Sequence, residues 1–248
     1  MMRVQSEPVG TSLSKPLSGE NSHAAAPRPF WSRLRRWLRP PTPWVTLLGV
    51  DGSGKSTVLA ALAQALVTTP YTGLYVIHRR PQLVYRTAAA VPSGPISHYA
   101  KPPHSPSRSM FKLGAISLDW LLGYFWRIRW RQAEGILVVA DRHALLDLLA
   151  DPLRYRYGGP DWFIPLLVRL LPMPDAVILL DAPVDVLQAR KTELTVENAA
   201  ALRSAYLQLI KQMNTGHVID ASQPLRQVVA DVEQALVSIH QHYHAPKT

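Results

Sequence analysis

The stretch WVTLLGVDGSGKSTVLAALAQALV, residues 44–67, decides the fold predicted for this chain. Its first part, WVTLLG, is a short apolar run that leads into glycine-rich sequence, which is typical of a buried strand. Its last part repeats apolar side chains at helical spacing, which predicts a helix with one apolar face. Between them, residues 49–56 fit the pattern G-x-x-x-x-G-K-[ST] at every fixed position. The stretch therefore predicts a strand, a phosphate-binding loop and a helix, in that order.

The glycine-rich loop carries residues suited to holding the phosphates of a nucleotide. Glycine lets the backbone wrap so that successive amides point at phosphate oxygens, and the following helix adds the positive end of its dipole. We expect Lys55 to reach the β- and γ-phosphates and the Ser56 hydroxyl to ligate Mg²⁺. The residues predicted to bind the nucleotide here are Gly49, Gly52, Ser53, Gly54, Lys55, Ser56 and Thr57.

Short apolar runs alternate with helical patterns along the rest of the chain, which is typical of a parallel sheet with crossover helices. Further strands are predicted at residues 74–79, 136–141, 176–181 and 217–220, and three of them end in aspartate. Helices are predicted at residues 116–132, 164–171, 184–190 and 196–213, with a last one around 225–236. We therefore expect an α/β protein: a three-layer α/β/α sandwich with a five-stranded parallel sheet, of the P-loop NTPase type.

Composition limits the classes of function. The chain has 248 residues, which is long enough to bury a hydrophobic core without disulfide bonds or a structural metal ion. It contains no cysteine, which excludes disulfides, cysteine-ligated zinc and a thiol nucleophile. Lys and Arg number 27 against 17 Asp and Glu, which gives a formal net charge of +10. This excess favours an anionic partner: a nucleotide, a nucleic acid or an acidic membrane face.

Residues 1–43 are predicted to form an arm, disordered or basic and aromatic, ahead of one domain at 44–244. Residues 1–27 are rich in Ser, Pro, Gly and Ala, which is typical of a segment that does not order itself. Residues 28–39 place aromatic and leucine side chains between arginines. This part could lie on an anionic membrane surface or grip a partner, or its tryptophans could pack back on the domain. A transit peptide is a third alternative.

The sequence predicts no membrane span. The most apolar candidate, residues 113–128, is interrupted by Asp119 and is shorter than the ~20 residues that a bilayer requires. We interpret it as a buried helix. No continuous apolar core of the secretory kind occurs in residues 1–27, so we expect a cytoplasmic location, with peripheral membrane contact as an option. The proline-rich residues 92–106 are interpreted as a mobile loop.

Six segments, in their order and spacing, resemble the thymidylate kinase family of nucleoside monophosphate kinases over about residues 44–240. They are LLGVDGSGKST, VIHRRP, VVADRH, AVILLDAPVDVLQARKTE, RSAYLQL and VIDASQPLRQVVADV. The resemblance implies that the domain at 44–244 is a P-loop kinase. Such an enzyme moves the γ-phosphate of ATP, held with Mg²⁺, to a nucleoside monophosphate, which is dTMP in that family. Because the family is often dimeric, the resemblance also implies a homodimer as an option.

The resemblance assigns roles around the phosphates. Asp141 would hold a Mg²⁺-bound water and Arg142 would clamp the acceptor phosphate, since a carboxylate and a guanidinium suit these tasks. The alternative is that these two residues form a structural surface pair. Arg79 or Arg80 would grip the same acceptor phosphate. Asp51 would contact the acceptor's sugar and aid catalysis, or would only cap the loop.

A further arginine is expected because two phosphates repel each other until cations offset their charge. The glycine-rich loop contains no arginine, so by resemblance a lid supplies it, and the candidates are Arg190, Lys191 and Arg203. For Arg190 the alternative role is a cation that balances the helix dipole. The residues that resemble the segment lying against adenine are Ala221, Ser222 and Gln223.

Three departures from the family keep other functions open. Leu48 stands where the family commonly has glutamate, the lid after Arg190 is short, and residues 100–130 lack the family's phenylalanine and arginine pattern. Aromatic side chains there could stack on a base or simply pack the helix. The alternatives are a kinase for another phosphorylated acceptor, such as a sugar phosphate, and a non-catalytic ATP-binding protein associated with a membrane. Nucleic acid is not the expected partner, because much of the positive charge lies in the arm and near the predicted phosphate sites.

Overall fold

The computed structural model of this chain describes residues 30–65, 70–78, 80–83, 102–192 and 194–245. The predictions for residues 1–27, for Arg79 and for most of the proline-rich stretch 92–106 therefore lie outside the described residues.

The strands of the described residues form one sheet in which every neighbouring pair is parallel. They are β1 (Trp44–Leu48), β2 (Leu74–His78), β3 (Leu137–Asp141), β4 (Ala176–Asp181) and β5 (Gly216–Asp220). Their order across the sheet is β2-β3-β1-β4-β5. The prediction of an α/β protein with a five-stranded parallel sheet is confirmed.

Helices join successive strands, and the arrangement is consistent with three layers. The α-helices of the described residues are α1 (Phe30–Leu38), α2 (Lys55–Ala65), α3 (Pro106–Gly123), α4 (Arg129–Ala133), α5 (Ala144–Ala150), α6 (Phe163–Leu170), α7 (Val184–Arg190), α8 (Val196–Lys211) and α9 (Leu225–His244). A π-helical turn at Tyr124–Ile128 joins α3 to α4 and is called the π-turn below.

Two helices differ from the prediction. The helix α3 begins before residue 116, because Pro106 occupies the first turn, where its fixed φ suits a helix start. The sequence does not predict α5, because ALLDLLA follows β3 closely and its nearly continuous apolar run has no helical stripe.

The register brings the carboxyl ends of the strands to one edge of the sheet. Asp141 of β3 pairs with Leu47 of β1 and with His78 of β2. Asp181 of β4 pairs with Asp220 of β5. In open parallel sheets, ligands bind beyond this edge. The glycine-rich loop after β1 therefore lies at the same edge as the strand-terminal aspartates.

Side chains from both faces of the sheet are buried. One face packs with helices α2 and α9, where Leu62 and Leu236 line the same small cavity as Leu47 of β1. On the other face, the Trp120 ring of α3 stacks on the Trp44 ring with centroids 5.6 Å apart. The helix α3 is thus partly buried, as expected for 113–128. No helix of the described residues is long and apolar enough to cross a membrane.

The described part of the arm contains helix α1, which contacts α4 and the π-turn. The ring centroid of Trp37 lies 6.0 Å from that of Phe125 and 6.4 Å from that of Trp130. The Nε of Arg36 donates a hydrogen bond of 2.6 Å to the carbonyl of Ala133. One tryptophan of the arm thus packs back on the domain, while the first residues of α1 remain exposed.

Candidate functional site

The glycine-rich loop lies tightly against β4 and α7, and two of its glycines are required by the backbone. Gly49 and Gly52 have φ angles of 150° and 94°, in the region that favours glycine. A Cβ at Gly49 would lie 2.6 Å from the Leu180 carbonyl oxygen, and one at Gly52 would lie 2.8 Å from that of Leu187. Any side chain at either position would therefore distort the loop.

Lys55 is buried beneath the loop, at the start of α2. Its ammonium donates to the carbonyls of Gly49 and Val50 at 2.8 and 3.0 Å and to Ser53 Oγ at 3.2 Å. Burial, and after it the charge of Arg142, lowers the pKa of Lys55 to about 7. The loop thus encloses a lysine whose charge is sensitive to any anion that approaches.

Asp141 ends β3 beside this lysine and has an oxygen suited to a metal-bound water. Its Oδ2 lies 3.5 Å from His78 Nδ1, whereas its Oδ1 is buried and has no hydrogen-bond partner among the described residues. Burial alone would raise the pKa of Asp141, but the hydrogen bond from His78 and the charges of Lys55 and Arg142 hold it below its usual value. The carboxylate is therefore ionised at neutral pH.

The residues at this edge of the sheet suit a Mg²⁺ ion whose other ligands are phosphate oxygens and water. Ser56 and Thr57 are exposed on the first turn of α2, and Asp141 offers a buried oxygen without a partner in the described structure. In the part of the chain that the structure describes, no group of three or more His, Asp or Glu side chains is arranged to hold a metal. Mg²⁺ commonly keeps several waters and binds through one or two carboxylates and substrate phosphates.

Arg142 is buried and turned toward the glycine-rich loop. Its backbone has a φ of 72°, which is unusual for a residue with a side chain. Its Nη2 donates a short hydrogen bond to Asp51 Oδ1, and its Nη1 lies 3.4 Å from both carboxylate oxygens of Asp147. Arg142 therefore pairs with Asp51 and Asp147 and is not one half of a surface pair with Asp141.

Asp51 lies between two arginines. Besides Arg142, it accepts a hydrogen bond of 3.1 Å from Nη2 of Arg154, which belongs to the loop after α5. Burial would raise the pKa of Asp51, but Arg142, Arg154 and Lys55 together lower it to about 2. Asp51 thus does more than cap its own loop, because it draws two arginines to the edge where phosphates are expected.

Three residues of this site are not predicted from the sequence. Tyr206 of α8 donates to Asp147 Oδ1 at 2.6 Å, and Asp147 in turn faces Arg142. We call the connected set the arginine network; its members are Asp51, Arg142, Asp147, Arg154 and Tyr206. A signal for Asp147 exists, since it is the single acidic residue in ALLDLLA, and Arg154 belongs to the repeated pair in RYRYGG.

His143, the last residue of the VVADRH segment, belongs to the core. It is fully buried, with its ring centroid 4.3 Å from that of Trp120 and 5.6 Å from that of Trp44. Burial lowers its pKa to about 3, so the imidazole is neutral near neutral pH. The residue precedes α5 directly and packs in the core, so it does not take part in the edge where phosphates are expected.

The predicted lid and adenine residues come together at the other side of the loop. Arg190, the last residue of α7, donates from Nη1 to the Ala221 carbonyl at 2.8 Å. A Cβ at Gly52 would lie 3.4 Å from Lys191 Cβ, so the end of α7 adjoins the glycine-rich loop. Arg203 instead forms a two-pronged pair with Asp181 through two contacts of 2.7 Å.

The segment after β5 is ordered by its own side chains. Asp220 Oδ1 accepts hydrogen bonds from the backbone amide of Ser222 at 2.9 Å and from the Ser222 hydroxyl. Gln223 Nε2 lies 3.5 Å from the other carboxylate oxygen. These contacts define the turn that carries the predicted adenine residues.

Arg80 belongs to a second group of cations, whose charges act on Lys112. We call this group the basic cluster; it consists of Arg80, Arg108, Lys112 and Arg156. Lys112 of α3 donates to the Tyr155 carbonyl at 3.3 Å, which ties α3 to the loop after α5. Burial, and then the charges of Arg156, Arg108 and Arg80, hold the pKa of Lys112 below its usual value. Arg79, the other predicted acceptor arginine, lies outside the described residues.

Comparison with known proteins adds no relative: no protein-family model matches the chain, and no curated protein matches it.

Proposed function

We propose that this chain is a P-loop kinase that moves the γ-phosphate of ATP to the phosphate of a small-molecule acceptor. The observation that carries the proposal is the meeting of Lys55, Asp141 and the arginine network at the carboxyl edge of β1 and β3. The strand order β2-β3-β1-β4-β5, with the glycine-rich loop directly after the central strand, supports a P-loop fold.

In the proposed reaction, an oxygen of the acceptor phosphate attacks the γ-phosphorus, the bond from that phosphorus to the bridging oxygen breaks, and ADP leaves. Such transfer needs little covalent help, but it needs two anions held in line with their charge offset. Bound Mg²⁺ would supply part of that charge. The loop amides and Lys55 would hold the β- and γ-phosphates, and Asp141 would hold a water of the metal.

Arg142 and Arg154 supply the cations on the acceptor side. They converge on Asp51 from two different loops, so their guanidinium groups sit beside the glycine-rich loop, which has no arginine of its own. A guanidinium fork suits phosphate oxygens better than a point charge does. Asp51 orients both arginines, and Asp147 holds the far side of Arg142.

Two kinds of acceptor are proposed. The first is a nucleoside monophosphate, dTMP by resemblance. The second is a phosphorylated small molecule with more negative charge, such as a sugar phosphate with a further anionic group. The basic cluster favours the second, because Lys112 contacts the Tyr155 carbonyl, and Tyr155 lies in the chain between Arg154 of the arginine network and Arg156 of the cluster.

The test is ADP release from ATP and Mg²⁺ across dTMP, dUMP, the other nucleoside monophosphates and mono- and bisphosphorylated sugars. The control variants are Lys55→Ala and, as a matched lysine exposed on α8, Lys211→Ala. Stimulation by one acceptor that is lost only in Lys55→Ala supports the kinase. ATP binding without stimulation by any acceptor would overturn it and favour a non-catalytic ATP-binding protein.

The two acceptor classes are separated by charge reversal in the basic cluster. If the acceptor is highly charged, Lys112→Glu raises its KM at least tenfold and leaves the Kd for ATP unchanged. An unchanged KM in Lys112→Glu would remove the second class of acceptor.

A further inference from the structure

Large apolar side chains are exposed together on one side of the molecule. In α1, Phe30, Trp31 and Leu38 are 66%, 75% and 59% exposed. Trp126 of the π-turn is 66% exposed, and the adjacent Phe125 contacts Trp37 of α1. We call this the aromatic-basic face; it consists of Phe30, Trp31, Arg35, Leu38, Arg39 and Trp126.

The opposite face of α1 is fixed to the domain, so the exposed residues cannot turn inward. The Trp37 ring packs against Phe125, and Arg129 Nη2 donates to the Leu38 carbonyl at 2.6 Å. Trp31, Arg35 and Leu38 follow the i, i+4, i+7 spacing of one helical face, and all three are exposed. The contacts of α1 with the domain therefore hold the aromatic-basic face in a fixed position on the folded chain.

The π-turn contributes Trp126 to the same surface. The wider turn at Tyr124–Ile128 interrupts the rod formed by α3 and α4. Such single π-turns often occur at functional positions, because they change the direction of the side chains. Here Phe125 meets α1 while the next residue, Trp126, stays in solvent.

The charge of the aromatic-basic face has one sign. Residues 30–43 contain Arg33, Arg35, Arg36 and Arg39 but no acidic residue. Arg36 donates to the Ala133 carbonyl, whereas the side chains of Arg35 and Arg39 have no hydrogen bond or ion pair within the described structure. Two arginines are thus available to an anionic partner beside exposed tryptophans.

We propose that the aromatic-basic face docks on an anionic lipid surface. Indole rings favour the headgroup level of a bilayer, and arginine side chains next to them are attracted to lipid phosphates. Helix α1 has nine residues, too few to span a bilayer but enough to lie in its interface. A second copy of this chain fits less well, because a two-fold contact would oppose two arginine-rich faces.

Docking through this face leaves the candidate site open. Helix α1 leads into the amino end of β1, and α4 leads into the amino end of β3. His244 at the end of α9 also reaches this side, where its Nε2 lies 2.8 Å from the Pro41 carbonyl oxygen. The glycine-rich loop lies at the carboxyl edge of the same strands. In a membrane-bound molecule, the carboxyl edge of the sheet, with the glycine-rich loop, would therefore face away from the lipid.

The proposal is tested by cosedimentation of the full chain with phosphatidylcholine vesicles, with and without phosphatidylserine. We expect binding to the vesicles that contain phosphatidylserine, weakened by salt, and at least tenfold weaker binding in Trp31→Ala/Trp126→Ala and in Arg35→Glu/Arg39→Glu. The matched controls are Trp162→Ala, whose indole is 60% exposed outside this face, and Arg169→Glu on α6. Circular dichroism and ATP binding check that each variant is folded.

Two outcomes would overturn the proposal. One is equal sedimentation of wild type and both double variants with vesicles that contain phosphatidylserine. The other is no vesicle binding by the wild type, together with a change from dimer to monomer in Trp31→Ala/Trp126→Ala by light scattering, which would assign the face to a second copy. Neither outcome bears on the kinase assay, which needs no lipid.

Discussion

Arg154 and Asp51 are 103 positions apart in the chain, and Nη2 of the arginine lies 3.1 Å from Oδ2 of the aspartate. This contact brings the loop after α5 to the glycine-rich loop. It also makes Arg154 a candidate for the further arginine that the proposed transfer needs, beside the lid candidates Arg190 and Arg203, which contact Ala221 and Asp181. Arg142 and Arg154 thus bring positive charge to the loop from the segments that follow β3.

If Arg154 offsets charge during transfer, Arg154→Ala should lower kcat by at least about 10²-fold with little change in the Kd for ATP. Arg154→Lys should recover only part of this loss, because an ammonium lacks the guanidinium fork. Steady-state kinetics with the acceptor found by the ADP assay measure both. Arg169→Ala on α6 is the control. An unchanged kcat in a folded Arg154→Ala would limit this residue to holding Asp51.

Local patterns explain which parts of the fold and site are predictable. The strand, loop and helix of 44–65 follow from contiguous sequence, because glycine spacing and apolar periodicity act over a few residues. Asp141 is predictable for the same reason, since a strand-terminal aspartate in a parallel sheet must lie at the carboxyl edge. The five-stranded parallel sheet follows from the alternation of such segments.

Partners of the arginines are not predictable in this way. Arg142 follows Asp141 directly, but its positive φ turns the side chain to Asp51 and Asp147, and no sequence pattern specifies that angle. Arg190 ends α7 as its helical pattern predicts, yet its contact with Ala221 depends on how the loop after β5 returns. Long-range contacts between surface loops require the tertiary fold.

Removing the Asp147 carboxylate should be costly, because it would leave the buried Arg142 with one partner fewer. We expect Asp147→Ala to lower the free energy of unfolding by about 3–5 kcal/mol, the usual cost of breaking a buried ion pair. Chemical denaturation measures this change. Asp185→Ala on the exposed face of α7 should change it by no more than about 0.5 kcal/mol. Adding Arg142→Met to Asp147→Ala should recover part of the loss, and no recovery would contradict this origin.

The buried His143 should make stability depend on pH. Its folded pKa is about 3, and the imidazole of an unfolded chain has a pKa of about 6.5. Between these values the unfolded state binds more protons, so stability falls as pH falls. Relative to His143→Phe, the free energy of unfolding of the wild type should drop by about 1.4 kcal/mol for each pH unit within this window.

Denaturation from pH 6 to pH 4 measures that difference. His242→Gln, which replaces an exposed imidazole of α9, is the control and should run parallel to the wild type. If the difference in free energy of unfolding between the wild type and His143→Phe stayed constant from pH 6 to pH 4, the ring of His143 would already take up a proton in the folded state.

Binding of ATP should be coupled to proton uptake at Lys55. In the free protein the pKa of Lys55 is about 7, so at pH 8 most of the ammonium is deprotonated. Phosphate oxygens beside it favour the charged form and raise this pKa, so the complex binds a proton that the free protein lacks. Calorimetry at pH 8 in two buffers of different ionisation enthalpy should show uptake approaching one proton for each ATP bound.

At pH 6 the uptake from this lysine should vanish, since it is already charged, and Lys211→Ala should behave as the wild type. Equal binding enthalpies in both buffers at pH 8 would mean that the nucleotide phosphates do not reach Lys55.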